Sequence, residues 1–142
     1  TQTPTIVSRT TIGDKAMNTR SDDVAEFDAI TATVQHYIDG AREGSGATMK
    51  VAFHDNAQIF GYGQGGLFAA LIQELFDRVD VTGPAPETQA RIVSIEISKT
   101  VATVRLELDQ WAGRRFTDFF TLLKIDGTWT IMNKAFHLHS PI

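Results

Sequence analysis

Cysteine is absent from this chain, which removes disulfides, thiol catalysis and cysteine-ligated zinc together. Also missing is any apolar run near the roughly 20 residues that a bilayer-spanning helix needs. The opening segment, TQTPTIVSRTTIGDKAMN, lacks the apolar centre of a secretory signal. Positive charge is sparse and scattered: 13 lysines and arginines stand against 17 aspartates and glutamates, for a net charge of −4. No basic stripe results, so neither nucleic acid nor a membrane is an expected partner. No internal repeat or low-complexity tract interrupts the chain. The expected compartment is the cytoplasm. An exported form stays open, because the chain opens on Thr1 rather than Met and many exported proteins also lack cysteine.

What is present is enough apolar material, 42% of 142 residues, for one domain with a real core. The polar stretch 1–20 is expected to form a mobile arm ahead of a single domain over 21–142. Ser21, with Asp22 and Asp23, is a helix opening that combines a capping hydroxyl with negative charge at the positive dipole end. From there Phe27, Ile30, Val34, Tyr37, Ile38 and Ala41 follow at three- and four-residue spacings and predict one buried face of a helix ending near Arg42. Ser45 is a candidate cap for a second, short helix through Met49 to Phe53. Ala57 to Tyr62 reads as a short strand, and glycines 61, 63, 65 and 66 lead into a third helix from about Leu67 to Val79. The glycine-rich string FGYGQGG lacks the lysine and the spacing of a phosphate loop, so it reads as a turn.

After the turn-rich TGPAPETQ the period changes to two. Val93, Ile95 and Ile97 alternate, then Val104, Leu106 and Leu108, and two further strands meet at Asp126-Gly127. Helices first and a strand meander afterwards predict an α+β fold with a curved sheet wrapped around three helices. If Asp126-Gly127 is a two-residue turn, Ile125 lies opposite Thr128, and counting back sets Phe120 opposite Asn133, Asp118 opposite Ala135 and Phe116 opposite His137. Asp118 and His137 then share a face as diagonal neighbours, roughly 7–8 Å apart at the backbone. Phe120, Leu122, Trp129 and Ile131 fall on one face of this hairpin, and Phe119, Leu123, Met132 and Phe136 on the other. Apolar groups on both faces call for a second cover, and a homodimer through the convex side of the sheet supplies it economically, with a tail or the N-terminal arm folding across as the monomeric alternative.

Three strings, AITATVQHYIDGAREGS, VAFHDNAQIFGYG and FTDFFTLLKIDGTWTIMNKAFH, resemble in order and content the NTF2-like superfamily of SnoaL-like and ketosteroid-isomerase-like proteins. Within it the chain is most similar to the putative lumazine-binding family. The resemblance spans about Ala29 to His137. It implies a cone-shaped, cystatin-like α+β fold, a pocket between sheet and helices, and usually a dimer. It implies function less directly, since one scaffold carries isomerases, cyclases, dehydratases and non-catalytic binders. Tyr37 lies in a segment similar to the one where ketosteroid isomerases place an oxyanion-stabilising tyrosine. Asp118 lies in a strand resembling the one that supplies their protonated aspartic acid. Their catalytic base maps near Phe60-Gly61, where no carboxylate stands, so His54 or His137 would have to serve.

The candidate catalytic groups are therefore Asp118, His54, Tyr37 and His137. The candidate ligand-binding set is Tyr37, Phe53, His54, Phe60, Tyr62, Trp111, Phe116, Asp118, Phe120 and Asn133. Asp118 among phenylalanines calls for a partner, with Lys134, Arg114 or Arg115 as ion-pair alternatives to a pocket role. His54, His137, His139 and Asp118 could ligate a metal, but their spacing matches no zinc or iron motif, and no metal or organic cofactor is expected. The expected function is binding of a small, carbonyl-bearing or heteroaromatic molecule. The alternatives are a cofactor-independent isomerase, dehydratase or cyclase that moves a proton next to a carbonyl, and a non-catalytic dimerisation module.

Overall fold

Ile30, Val34, Tyr37, Ile38 and Ala41 are buried, so the three-and-four spacing produces the amphipathic helix it predicts, with the exception of Phe27, which is 39% exposed. The computed structural model describes the backbone of residues 12–139 and the side chains of residues 23–139. The first helix, α1, runs Ile12–Glu43. It therefore begins ahead of Ser21, because a capping residue favours a start without imposing one and no proline stands between Ile12 and Ser21. The part of the expected arm over residues 1–11 lies outside the described residues. α2 is Gly46–Lys50, where Ser45 Oγ accepts from Thr48 N at 3.1 Å as the cap.

Among the described residues the sheet has six strands: β1 (Phe53–Gly63), β2 (Gly66–Leu71), β3 (Gln89–Ser98), β4 (Val101–Trp111), β5 (Arg114–Ile125) and β6 (Thr128–Leu138). Their spatial order is β2-β1-β6-β5-β4-β3. β1 pairs with β6 in parallel and every other neighbour is antiparallel. This is the α+β architecture expected, with two corrections: α2 stops at Lys50, so Phe53 opens β1 instead of closing a helix, and the third helix starts later than expected. Leu67 to Leu71 is not helical: Gly63 to Gly66 turns the chain back so that β2 pairs with β1, and α3 (Gln73–Thr82) starts only afterwards. The apolar string LFAALIQELF suits either period until the preceding tight turn selects a hairpin.

α1 lies across the inner face of the sheet. Tyr37 meets the Phe120 ring edge-on at 5.1 Å, and Thr33 Oγ1 donates to the Trp129 carbonyl at 2.9 Å. At one margin Glu26 ties the helix to the last hairpin, accepting from Lys124 Nζ at 2.7 Å and Trp129 Nε1 at 3.2 Å. The inner face carries Val104, Leu106 and Leu108 from β4, Phe120 and Leu122 from β5, and Ile131 from β6, all buried.

Three strands each hold one extra residue. Val93 in β3 falls between the Ile92–Leu106 and Ser94–Arg105 pairs, and β4 spends Asp109 and Gln110 against Arg115 alone. In β6, Met132 has no partner in β5, since Leu122 faces Ile131 while Thr121 faces Asn133. Such bulges reverse the in/out parity downstream of them. The Ile125–Thr128 pairing is as expected, but beyond Met132 Asp118 stands opposite Phe136 rather than Ala135, Phe120 opposite Lys134 rather than Asn133, and Phe116 opposite Leu138 rather than His137. Lys134 and Phe136 thereby turn inward, and Asn133 and His137 outward. The expected shared face of Asp118 and His137 is corrected by this one residue.

Gly61 pairs with Phe136 across β1 and β6, and the Phe136 ring lies over it. A Cβ at Gly61 would fall on the Phe136 carbonyl oxygen and within 2.5 Å of the ring carbon Cδ1. Gly61→Ala is expected to lower stability by about 1–3 kcal/mol through backbone displacement, read as a lower urea midpoint. An unchanged midpoint would mean that the strands separate without cost at this point.

Candidate functional site

Between the β1–β2 hairpin, α3 and the β4–β5 turn lies a pocket of about 770 Å³, within the range of small-molecule sites. Ile59, Phe68, Leu75, Val79, Trp111, Phe116 and Phe136 give it apolar walls, and Lys134 lines it as well. Exposed Gln64, Leu67, Val81 and Ala112 stand at its rim, with the cations Arg78 and Arg114 and the acids Glu74 and Asp77. The glycine string read as a turn forms part of this rim, from Gly63 to Gly66. Two bulges shape the wall. The one at Asp109-Gln110 turns Trp111 inward beyond Leu108, and the one at Met132 does the same for Lys134 and Phe136.

Behind the wall Tyr37 and Asp118 are sealed, and Lys134 connects them to the lining. Tyr37 Oη donates to Asp118 Oδ2 at 2.6 Å, and Lys134 Nζ stands 3.9 Å from Asp118 Oδ1. Asp118 is 0% exposed and Lys134 2%. The second distance is short enough for attraction between charges and too long for a hydrogen bond. Asp118 Oδ1 accordingly is a buried side-chain oxygen without a hydrogen-bond partner among the described residues. Aromatic rings surround the lysine: its Nζ lies 5.0 Å from the Tyr37 centroid, 5.3 Å from Trp111 and 5.4 Å from Phe136.

Burial governs the proton affinities of all three. Loss of water pushes the Asp118 carboxyl up from 3.8, against the opposing pull of Lys134 and the Tyr37 hydrogen bond. The same loss pushes the Lys134 ammonium down from 10.5, with Asp118 acting the other way. Tyr37 is raised well above 10.0, first by burial and then by the adjacent carboxyl, so it remains a hydroxyl donor. The shifts of Asp118 and Lys134 both run toward the un-ionised forms, and each group opposes the other's shift through its charge.

The expected site residues separate into three groups. Trp111 and Phe116 line the pocket. Tyr37 and Asp118 are bonded to each other behind it, and Phe53 and Phe120 pack around the Tyr37 ring at 5.9 and 5.1 Å. The rest lie elsewhere. Phe60, Tyr62, Asn133 and His137 face away from the helices, as their pairings with Ala135, His137, Thr121 and Thr117 require. His54 stands in the irregular start of β1, its Nδ1 accepting from Asn56 N at 3.0 Å. His139 contacts Thr117 Oγ1 at 2.9 Å, within a cluster where Glu107 also binds Arg105 and Arg115. Among the described residues no group of three or more histidines, aspartates or glutamates is placed to hold a metal. No helix among them is long and apolar enough to cross a membrane.

Lys134 is the pocket group that strict alternation misses. Its one signal in the sequence was the need of Asp118 for a partner. Removing the hydroxyl above Asp118 tests how tightly the three are coupled. A group whose folded pKa is raised lends stability below its unfolded value and loses it as pH climbs through the folded one. Tyr37→Phe deletes a bond that holds the Asp118 value down. The variant should lose about 1–3 kcal/mol, with a larger deficit at about pH 8 than at about pH 4.5 in paired urea titrations. Equal deficits would uncouple Tyr37 from the ionisation of Asp118.

A family model described as putative lumazine-binding matches residues 25–137. An aldolase, FrzH, from a Cladobotryum species is 33% identical over 114 residues, covering 80% of this chain and 91% of that protein. An NTF2-like protein of unknown function from Methylobacillus flagellatus is 44% identical with a TM-score of 0.79, over 82% of this chain and 94% of the other. A second, from Shewanella baltica, is 39% identical with the same TM-score, over 82% and 96% of the two chains. With the helices, the curved mixed sheet and the pocket between them, these matches establish that the chain belongs to the putative lumazine-binding family of the NTF2-like superfamily.

Proposed function

We propose that this protein binds a small carbonyl compound in the pocket and promotes proton transfer at the carbon next to that carbonyl. The observation that carries the reading is Lys134, buried in the wall of an open, largely apolar pocket, with Asp118 and Tyr37 behind it. Apolar walls hold the body of the ligand, and Lys134 directs its oxygen inward. A donor held in a water-poor site stabilises the negative charge that develops on that oxygen as the adjacent C–H proton passes to the Asp118 carboxylate beside Lys134. The similarity to an aldolase supports this class, because aldol chemistry begins with such a carbanion equivalent. His54 and His137 have no part in the reading.

Trp111 provides the measurement. Small ketones, aldehydes and heteroaromatic carbonyl compounds are titrated against tryptophan fluorescence in wild type, Trp111→Phe and Trp129→Phe. At least one compound should give saturable quenching that disappears in Trp111→Phe and survives in Trp129→Phe, since Trp129 belongs to the core. Quenching that persists without Trp111, or none across the series, would overturn the pocket reading.

A second reading concerns the opposite face of the sheet. Ala69, Phe60, Ala135 and Phe119 form a continuous row across β2, β1, β6 and β5, with Phe60 40% and Phe119 51% exposed. Leu67 and Leu71 add exposed apolar surface on β2. We infer that a second copy of the chain covers this row. Light scattering should give twice the chain mass for wild type and a shift toward the monomer for Phe60→Asp with Phe119→Asp. A monomeric wild type at micromolar concentration would exclude the dimer.

A further inference from the structure

Two lysine–carboxylate pairs in this chain differ in a way that bears on chemistry. Lys124 and Glu26 close to 2.7 Å at the domain margin, the length of a charge-assisted hydrogen bond. Lys134 and Asp118, with far less water to compete for them, stay 3.9 Å apart and leave Oδ1 unpartnered. A structural ion pair so deeply buried would be expected to close, because an open one leaves its desolvation uncompensated. The open pair also adjoins a pocket, and the ammonium end is held among three rings. Arginine would bind an oxygen equally well there but has no usable electron pair. A secluded lysine has one.

We propose that Lys134 captures its ligand covalently: Nζ adds to the carbonyl carbon of a small ketone or aldehyde in the pocket and becomes an iminium, with Asp118 as the acid. This rests on the carbonyl-pocket reading above and goes beyond it. The amine electron pair forms the C–N bond, and the carbonyl π pair moves onto oxygen. One amine proton is transferred to that oxygen, giving a neutral carbinolamine. The Asp118 carboxyl protonates the hydroxyl, the C–O bond breaks, and water leaves. The balance is amine plus carbonyl plus carboxylic acid giving iminium, water and carboxylate, with no oxidant or reductant. The cation so formed faces the carboxylate left on Asp118, which Tyr37 steadies from its far side. An iminium withdraws electrons more strongly than a carbonyl, so it makes the adjacent C–H acidic enough for the proton transfer proposed above.

Borohydride trapping tests the step, since hydride reduces an iminium to a stable secondary amine. The full chain is incubated with cyclohexanone, treated with sodium borohydride and digested for mass mapping. Lys134 should be labelled at least about tenfold faster than Lys15, Lys50, Lys99 and Lys124, since it stands at a pocket that gathers the ketone beside its amine. Lys134→Met should lose the fast label, and its apolar replacement suits the buried site, so folding is expected to persist. Asp118→Asn should still label at Lys134, but at least about a hundredfold more slowly. Labelling that is no faster at Lys134 than elsewhere, or that continues in Lys134→Met, overturns the proposal. If cyclohexanone still quenches Trp111 in that case, the pocket reading stands and the covalent step alone fails. If it neither labels nor quenches while no other carbonyl compound quenches, both fall. An unchanged rate in Asp118→Asn removes the aspartate from the step.

Discussion

One unpaired residue in the last strand governs what the interior contains. Met132 shifts the β5–β6 register by one position, and everything beyond it on β6 changes sides. Without the shift, Asn133, Ala135 and His137 would face the helices and Lys134 would sit in water. With it, a cation is carried into the molecule opposite Phe120 and next to Asp118. The bulge in β4 acts in the same direction by bringing Trp111 to the same wall. The pocket is thus defined less by which residues the strands contain than by where pairing slips.

Such an interior is energetically expensive. A buried amine and a buried carboxyl each lose hydration that a 3.9 Å contact does not return. The rings of Tyr37, Trp111 and Phe136 offset part of it, since an ammonium over aromatic faces gains roughly 0.5–2 kcal/mol each where water is excluded. The Tyr37 hydrogen bond satisfies one carboxyl oxygen and leaves the other free. An apolar residue at position 134 would fill the same space at lower cost. Strain of this kind belongs with function more often than with stability.

Much of the fold was legible from periodicity. The buried stripe of α1, the Ser45 cap, the alternation of β4 and the Asp126-Gly127 turn each depend on neighbours within a few residues, where local chemistry decides, whereas the bulge at Val93 breaks the alternation expected of β3. The β2 segment was misread because LFAAL fits a helix or a strand until the preceding turn is resolved. The candidate site was half legible. Tyr37 and Asp118 were paired through a resemblance, and the structure places them 2.6 Å apart. Lys134 stayed on the list of ion-pair partners and never entered the pocket, because alternation assumes an unbroken ladder and no residue type announces a bulge. The outward placement of Asn133 and His137 has the same origin.

The parallel pairing of β1 with β6 brings together Gln58 and Asn133, residues about 75 positions apart. Every other neighbouring pair of strands is a hairpin or a near neighbour in sequence. During synthesis the helices, the β1–β2 hairpin and the meander as far as β5 can be made while the seam between them is still empty. Only when β6 emerges can the two halves of the sheet join, since it is the strand that touches both. Lys134 arrives with that strand. Its burial is therefore deferred to the final closure, and a chain interrupted before β6 holds no continuous sheet and leaves Asp118, on β5, without its lysine.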